Sequence, residues 1–385
     1  MKILITTDLF TTSTNGVVTS VRNLCDELKA KGHEVRILTL SETKKSYKED
    51  NVYYIKSVSI EFVYPDVRMP LSYRNAMIKE LIDWKPDVIH SQCEFFTFQY
   101  AKRIAKRTGA PLVHTYHTMY EQYVTYVIPS ERIGKKFVRK FIRSRMKKVN
   151  TIIAPTSKVE GSLQSYGLKN DIQIVPSGIS LKQHNHRLND EERKQKRQAL
   201  GIPDEHMILL NLGRLGTEKN LGELLDLYAE ALKYNDKLTF MIVGDGPDKA
   251  HLEKKAAGLG IGDKVIFTGM VKPTQVQEYY QLADIFVSAS TSETQGLTYI
   301  EAAANGLPLL CRKDDCLCDV LKEGINGYAY EQAEEFHNKL RIITGDTEWR
   351  VSAGEQSKKI AQTFDKSHFG NTVENIYKEL IINNI

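Results

Sequence analysis

The sequence predicts an α/β fold of two doubly wound parallel-sheet domains, and three observations carry that expectation. Short apolar runs of strand length alternate with segments of helical period along the chain. At 385 residues the chain is too long for one ordinary domain, given roughly 150 residues per domain. A polar, charged stretch at residues 182–197 separates two such alternating series and is the best linker candidate.

The first series opens with an apolar strand at residues 2–6 and a loop at 11–16 rich in Thr, Ser, Asn and Gly. A helix at 17–31 follows, ended by Gly32. Further strands are expected at 34–40, 87–90, 111–115, 151–154 and 172–175, with a helix near 95–107. Beyond Pro176, Ser177, Gly178 and the linker, the second series has strands at 207–212, 238–243, 265–268, 285–287 and 307–311. Residues 297–305 suit a helix that Gly306 and Pro308 end, and 367–380 form a last one. Strands read as near-continuous apolar runs belong in parallel sheets covered on both faces. Two such domains side by side would turn the carboxyl ends of both sheets toward a shared cleft, the preferred ligand position in this fold class.

Hydrophobic residues make up 41% of the chain and charged ones 26%, the composition of a soluble globular protein with ample core. No run approaches the roughly 18 apolar residues needed to span a bilayer, and the N-terminal apolar segment is too short for a signal peptide. The expected location is the cytoplasm. Five cysteines without metal or redox spacing read as reduced thiols, with neither disulfides nor zinc.

The net charge of +5 conceals an asymmetry, because residues 101–150 hold 13 Lys or Arg against 2 Glu. Within them, 132–148 read as a basic amphipathic helix. Ile133, Phe137, Val138, Phe141 and Ile142 recur at helical spacing, and Lys135, Lys136, Arg139, Lys140, Arg143, Lys147 and Lys148 fill the other faces. A solvated face over a core stripe, a nucleic-acid patch and a segment lying on anionic lipid all fit this pattern. No nucleic-acid recognition module accompanies the charge, so nucleic acid is not an expected partner.

Chemistry concentrates in the second series. Glu293 and Glu301 bracket Gly296, with Glu293 in a loop and Glu301 inside the following helix. The amides of Gly296 and Leu297 would open that helix, where an anion such as phosphate is favoured. Arg214 and Lys219 follow the strand at 207–212, and together a guanidinium fork and an ammonium can neutralise a diphosphate without a metal. Gly244, Asp245, Gly246 and Pro247 follow the next strand and Val271 the one after, so polar groups gather at strand carboxyl ends. The glycine spacing at 244–246 stops short of a dinucleotide fingerprint, and Gly258, Gly260 and Gly262 precede a strand, the wrong order for a phosphate loop. A nicotinamide enzyme is not expected.

These residues resemble the retaining glycosyltransferases of family four, over essentially the whole chain. The resemblance implies the GT-B fold, two Rossmann-like domains facing across a cleft. It implies that Arg214 and Lys219 clamp the leaving diphosphate, that Glu293 holds hydroxyls of the donor sugar and Glu301 the ribose, and that the backbone near Val271 meets the base. Gly16 matches the glycine loop beside the phosphates, Gly244 lies in the same nucleotide-binding set, and His117 in HTYHTMYEQY matches the histidine facing the donor hexose.

Gln295 stands where the family usually has an aromatic, and Gln92 where many members carry a histidine; Gln92 receives no role. The stretches TSETQGLTYIEA, TTSTNGVVTSVRNLCDEL and HSQCEFFTFQYAKRIAKR resemble the branch that glycosylates diacylglycerol. That branch implies UDP-glucose as donor, no required cofactor, diacylglycerol as acceptor, and peripheral attachment of the basic helix to the inner face of the cell membrane. Another NDP-hexose or a soluble acceptor remains the alternative. The implied division is an acceptor- and membrane-side domain at 1–180, a nucleotide-sugar domain at 181–364, and a terminal helix at 365–385 crossing back.

Overall fold

Strand β1 (Lys2–Thr6) shows how the first sheet is built: Ile3 and Ile5 enter one core cluster and Leu4 the other, so the strand is buried on both faces. The computed structural model describes residues 1–10, 15–60, 67–122, 130–184 and 187–383. Part of the predicted first loop, residues 11–14, lies outside the described residues.

After β1 come α1 (Gly16–Ala30), β2 (Glu34–Leu40), β3 (Tyr47–Glu49), β4 (Val52–Ile55), β5 (Ser57–Ser59), β6 (Arg68–Pro70) and α2 (Ala76–Trp84). Then follow β7 (Val88–Ser91), α3 (Phe96–Thr108), β8 (Leu112–Thr115), α4 (Glu131–Met146), β9 (Thr151–Ala154), α5 (Ser157–Ser165) and β10 (Asp171–Ile174). Eight strands pair in the order β10-β9-β8-β7-β1-β2-β4-β3, and β5 with β6 forms a separate antiparallel ribbon. The large sheet is parallel except for β3, which runs antiparallel to β4 at the edge.

The second series contains α6 (Asp190–Ala199), β11 (Met207–Leu212), α7 (Leu221–Ala231), β12 (Leu238–Val243), α8 (Lys249–Gly258), β13 (Val265–Gly269) and α9 (Val276–Leu282). It continues with β14 (Ile285–Ser288), α10 (Leu297–Ala304), β15 (Leu309–Arg312), β16 (Gly327–Tyr330), α11 (Ala333–Gly345) and α12 (Thr347–Ala361). Its six strands are all parallel, in the order β13-β12-β11-β14-β15-β16. Leu209, Phe240, Ile242, Ile285 and Val287 fill its main core cluster.

The chain divides into two units, Met1–Ile179 with Lys366–Ile385, and Ser180–Asp365. The last helix, α13 (Lys366–Asn383), belongs to the first unit, where Phe369, Val373, Ile376 and Tyr377 join the core formed by Ile3, Ile5 and α1. The amide of Lys366 bonds the Ile179 carbonyl at 2.9 Å, and a Cβ on Gly178 would lie 2.5 Å from the Lys366 Cα, so glycine admits the helix there.

One expectation fails outright. Residues 182–197 are not a plain linker, because half of them belong to α6. Asn189 and Glu192 form a capping box, and Arg193, Lys196 and Arg197 tether the helix to Asp284, Glu278 and the Pro203 and His206 carbonyls. The predicted strand at 307–311 begins two residues later, at Leu309.

Candidate functional site

In the second unit β11 and β14 are neighbours at the middle of the sheet, with β12 and β13 extending one way and β15 and β16 the other. Loops leaving the carboxyl ends of two such strands diverge and open a crevice, the topological switch point where ligands bind in doubly wound sheets.

The loop after β11 is fixed by backbone contacts. The Gly213 amide bonds the Val243 carbonyl and the Leu215 amide the Asp245 carbonyl, both at 2.9 Å, while the Gly244 amide bonds the Gly269 carbonyl at 3.1 Å. The loops after β11, β12 and β13 are thereby stitched together. Gly244 has φ +135°, and a Cβ on it would stand 1.9 Å from the Gly213 carbonyl oxygen. Arg214 lies between the two stitched residues Gly213 and Leu215. Val271 is half-buried just beyond β13. The chain then makes a 3-10 turn, Thr217–Lys219, and passes through Asn220 at φ +53° into α7.

Across the switch point, the loop after β14 docks on this turn. The Ser292 hydroxyl donates to the Glu218 carbonyl at 3.1 Å, and Lys219 Nζ lies 2.5 Å from Glu293 Oε1. Both side chains of the pair are largely shielded from water, which strengthens the charge-assisted bond. Gly296 caps α10 with φ +74°, where a Cβ would meet the Tyr299 ring at 2.4 Å. The first amides of α10 have no carbonyl one turn earlier to bond.

Glu301, one turn into the helix that begins at Leu297, is held by a different partner. Tyr280 on α9 donates its hydroxyl to Glu301 Oε2 at 2.8 Å. Burial pushes the Glu301 carboxyl up from its ordinary 4.5 to about 7, against the opposing pull of the Tyr280 hydrogen bond. The structure therefore joins Lys219 with Glu293 and assigns Glu301 to Tyr280. Cations and helix amides suit an anion, and the carboxylates suit hydroxyl donors.

The first unit has its own switch point, between β1 and β7. Gly16 opens α1, whose N-cap Asn15 accepts from the Val18 amide at 2.9 Å. Asp8, just past β1, accepts from the Phe96 and Thr97 amides at 3.1 and 2.7 Å and so caps α3; burial raises its pKa. His117 follows β8 by two residues, and its Nε2 lies 2.8 Å from Oε1 of Gln92, the residue directly after β7. Burial first, and His114 second, lower the His117 pKa to about 3, so the imidazole is neutral and donates its Nε2–H to the amide oxygen. Sequence reasoning gave Gln92 no part; the signal was a polar side chain at the carboxyl end of a fully buried strand. Nearby, buried Glu94 accepts from the Tyr120 hydroxyl and lies 3.0 Å from His114 Nε2.

Helix α4 divides its apolar residues between two faces. Gly134, Val138, Ile142 and Met146 are buried, whereas Ile133 and Phe137 are 65% and 61% exposed among the lysines and arginines. Phe141 stacks on Phe95 with ring centroids 5.6 Å apart. A core stripe alone does not account for the exposed pair. Among the described residues, no helix is long and apolar enough to cross a membrane, and no three His, Cys, Asp or Glu side chains converge as a metal site.

The sequence matches two family models, Glycosyltransferase Family 4 over residues 14–183 and Glycosyl transferases group 1 over residues 192–360. It is 34% identical to an alpha-monoglucosyldiacylglycerol synthase of Streptococcus pneumoniae, across 100% of this chain and 87% of that protein. It is 30% identical to an enzyme of the same name from Acholeplasma laidlawii, across 100% of this chain and 98% of that protein. Its fold matches that of Anabaena HepE, solved in complex with UDP-glucose, at a TM-score of 0.77 and 15% identity, with 98% of this chain and 100% of that chain covered. Two parallel-sheet α/β units of this kind are the GT-B class. The chain thus belongs to glycosyltransferase family 4 and is a hexosyltransferase similar to the alpha-monoglucosyldiacylglycerol synthases.

Proposed function

We propose that this enzyme transfers glucose from UDP-glucose to the free hydroxyl of diacylglycerol, with retention of configuration, at the cytoplasmic surface of a membrane. The observation that carries the reading is the Lys219–Glu293 pair at the second unit's switch point, beside the N-terminus of α10. Similarity to two synthases over the whole chain supports the acceptor, since their names give a glucosyl diacylglycerol product.

In this reading the second unit binds the nucleotide sugar. Arg214, Lys219 and the Gly296 and Leu297 amides take the diphosphate, Gly244 keeps the Arg214 loop close, Glu301 takes the ribose and the backbone near Val271 the base. Glu293 and, in the first unit, His117 take hydroxyls of the hexose, and Gly16 lies by the phosphates. As the bond from the sugar C1 to the phosphate oxygen breaks, charge grows on the diphosphate, and preorganised cations and amides lower that barrier. The acceptor hydroxyl forms the new bond to C1 on the same face, and its proton passes to the departing phosphate oxygen. Helix α4 rests on anionic lipid through its cations, with Ile133 and Phe137 inserted among the headgroups.

The test is UDP release from UDP-glucose with and without diacylglycerol in anionic vesicles, with the anomeric configuration of the lipid product read by NMR. Lipid-dependent release with an α-product is the expected result. Release indifferent to lipid would overturn the acceptor, release from another donor only would overturn UDP-glucose, and a β-product would overturn retention.

A further inference from the structure

At the carboxyl end of β7, the Gln92 side chain is only 2% exposed, and its two amide ends have different fates. Oε1 accepts from His117, whereas Nε2 is buried and has no hydrogen-bond partner among the described residues. A buried amide donor left unmatched loses its hydration with nothing in return, which is why such groups are nearly always paired. A second orphan stands on the adjacent strand: Thr6 is fully buried at the end of β1, opposite Ser91, and its Oγ1 also lacks a partner. The Gln92 amide nitrogen of the main chain bonds the Thr6 carbonyl at 2.8 Å, which pins the two strand ends together. The unmatched groups therefore lie on the two strands that flank the first unit's switch point, the crevice position where this fold class takes ligands.

We propose that Gln92 is a sugar-binding residue: its carboxamide fixes His117 through Oε1 and donates Nε2–H to a hydroxyl oxygen of the transferred hexose. This rests on the reading of His117 as a hexose-facing residue. The carboxamide then joins its own donor and the His117 imidazole into one recognition unit. His117 can be held with Nε2 protonated only by an acceptor, and Gln92 meets that need while keeping an NH2 group for the ligand. A site built to donate to a hydroxyl discriminates strongly against a sugar lacking it, because the buried donor is again left unpaired.

Two substitutions separate holding from donating. Gln92→Glu keeps an acceptor oxygen for His117 and removes the donor; Gln92→Met removes both at similar volume. For each, KM for UDP-glucose and the Kd of UDP alone are measured, together with KM for the 2-, 3-, 4- and 6-deoxy analogues of UDP-glucose. The expected result is a KM for UDP-glucose raised about tenfold or more in Gln92→Glu, with UDP affinity within twofold of the parent, and the KM penalty lost for one deoxy analogue only. Gln92→Met, monitored by thermal unfolding for retention of fold, shows the same penalty and a lower kcat. An unchanged KM in Gln92→Glu, or one penalty shared equally by all four analogues, overturns the proposal. Failure of the parent enzyme to bind UDP-glucose while binding UDP overturns instead the donor reading beneath it.

Discussion

Lys219 and Glu293 form an ion pair at 2.5 Å although 74 residues separate them, because β11 and β14 lie side by side and each residue leaves from the loop after its strand. The pair has a consequence for ligand binding. A diphosphate arriving at Lys219 competes with Glu293 for the ammonium, and a carboxylate released from it is free to accept sugar hydroxyls. Lys219→Ala is expected to lower kcat by about 10²–10³, with vesicle binding unchanged. Glu293→Gln leaves Lys219 without its carboxylate, so UDP binds several-fold tighter while kcat falls. Steady-state kinetics and calorimetry decide it; equal loss of catalysis and lipid binding in Lys219→Ala would sink the assignment.

Glu301 makes the fold pH-sensitive. Its carboxyl titrates near 7 in the folded chain against an ordinary 4.5, so between those values the folded state binds more protons than the unfolded one. Stability is then highest below about pH 4.5 as far as this group is concerned and declines as pH rises through 7, by on the order of 3 kcal/mol. Glu301→Gln should remove that slope and raise Tm at pH 8 while weakening UDP binding. Ribose hydroxyls donating to the carboxylate would favour its ionised form. Binding of UDP-glucose at pH 6 should therefore release a proton, seen as a buffer-dependent enthalpy in calorimetry; buffer-independent enthalpy would show that the ligand does not reach this carboxylate.

Elements with strong apolar runs were legible in the sequence, and those held by other means were not. The strands at 207–212 and 238–243 fall where β11 and β12 lie, since both are buried runs of apolar residues. By contrast β3, with the fully exposed sequence YKE, exists only through its pairing to β4. Helix α6 lacks an apolar stripe and is held by a capping box and ion pairs, so its charge read as a linker. Helices α11 and α12 and strand β16 were not anticipated either. Glu293 and Lys219 were each legible as candidates, but their contact depends on a crossover that no local pattern encodes. Tyr280, the partner of Glu301, sits in a seven-residue helix whose aromatic pair reads as ordinary core.

The proposed lipid attachment of helix α4 can be tested apart from stability. Ile133 and Phe137 are exposed, so replacing both with Ser should leave Tm within about 1 °C, since surface changes away from packing cost within about 0.5 kcal/mol. Insertion of the two side chains is worth about 1.5–3 kcal/mol each when complete, so partition onto anionic vesicles should fall tenfold or more. Charge reversal of Lys136 and Lys140 should weaken binding mainly at low salt, because Coulomb attraction to the surface is screened within about 8 Å at physiological ionic strength. Sedimentation with vesicles at two salt concentrations distinguishes these terms. Unchanged partition of the double Ser variant would remove the apolar contribution.

Gly244 tests whether the close approach of the loops after β11 and β12 matters to the chemistry. A methyl group there would stand 1.9 Å from the Gly213 carbonyl oxygen, and the backbone at φ +135° is one that side-chain-bearing residues rarely adopt. Strain and overlap act together, so Gly244→Ala should cost about 3 kcal/mol or more. The overlap falls on the backbone next to Arg214, so relief requires that loop to move, and catalysis should drop beyond what lost stability explains. Gly258 at the end of α8 supplies the contrast, because a Cβ there meets nothing within 4 Å. Gly258→Ala should stabilise by about 0.5 kcal/mol with kcat unchanged. Thermal unfolding and kinetics of both variants give the answer: a Gly244→Ala enzyme with the parent's Tm and kcat would mean that the stitched loops are not what holds Arg214 in place.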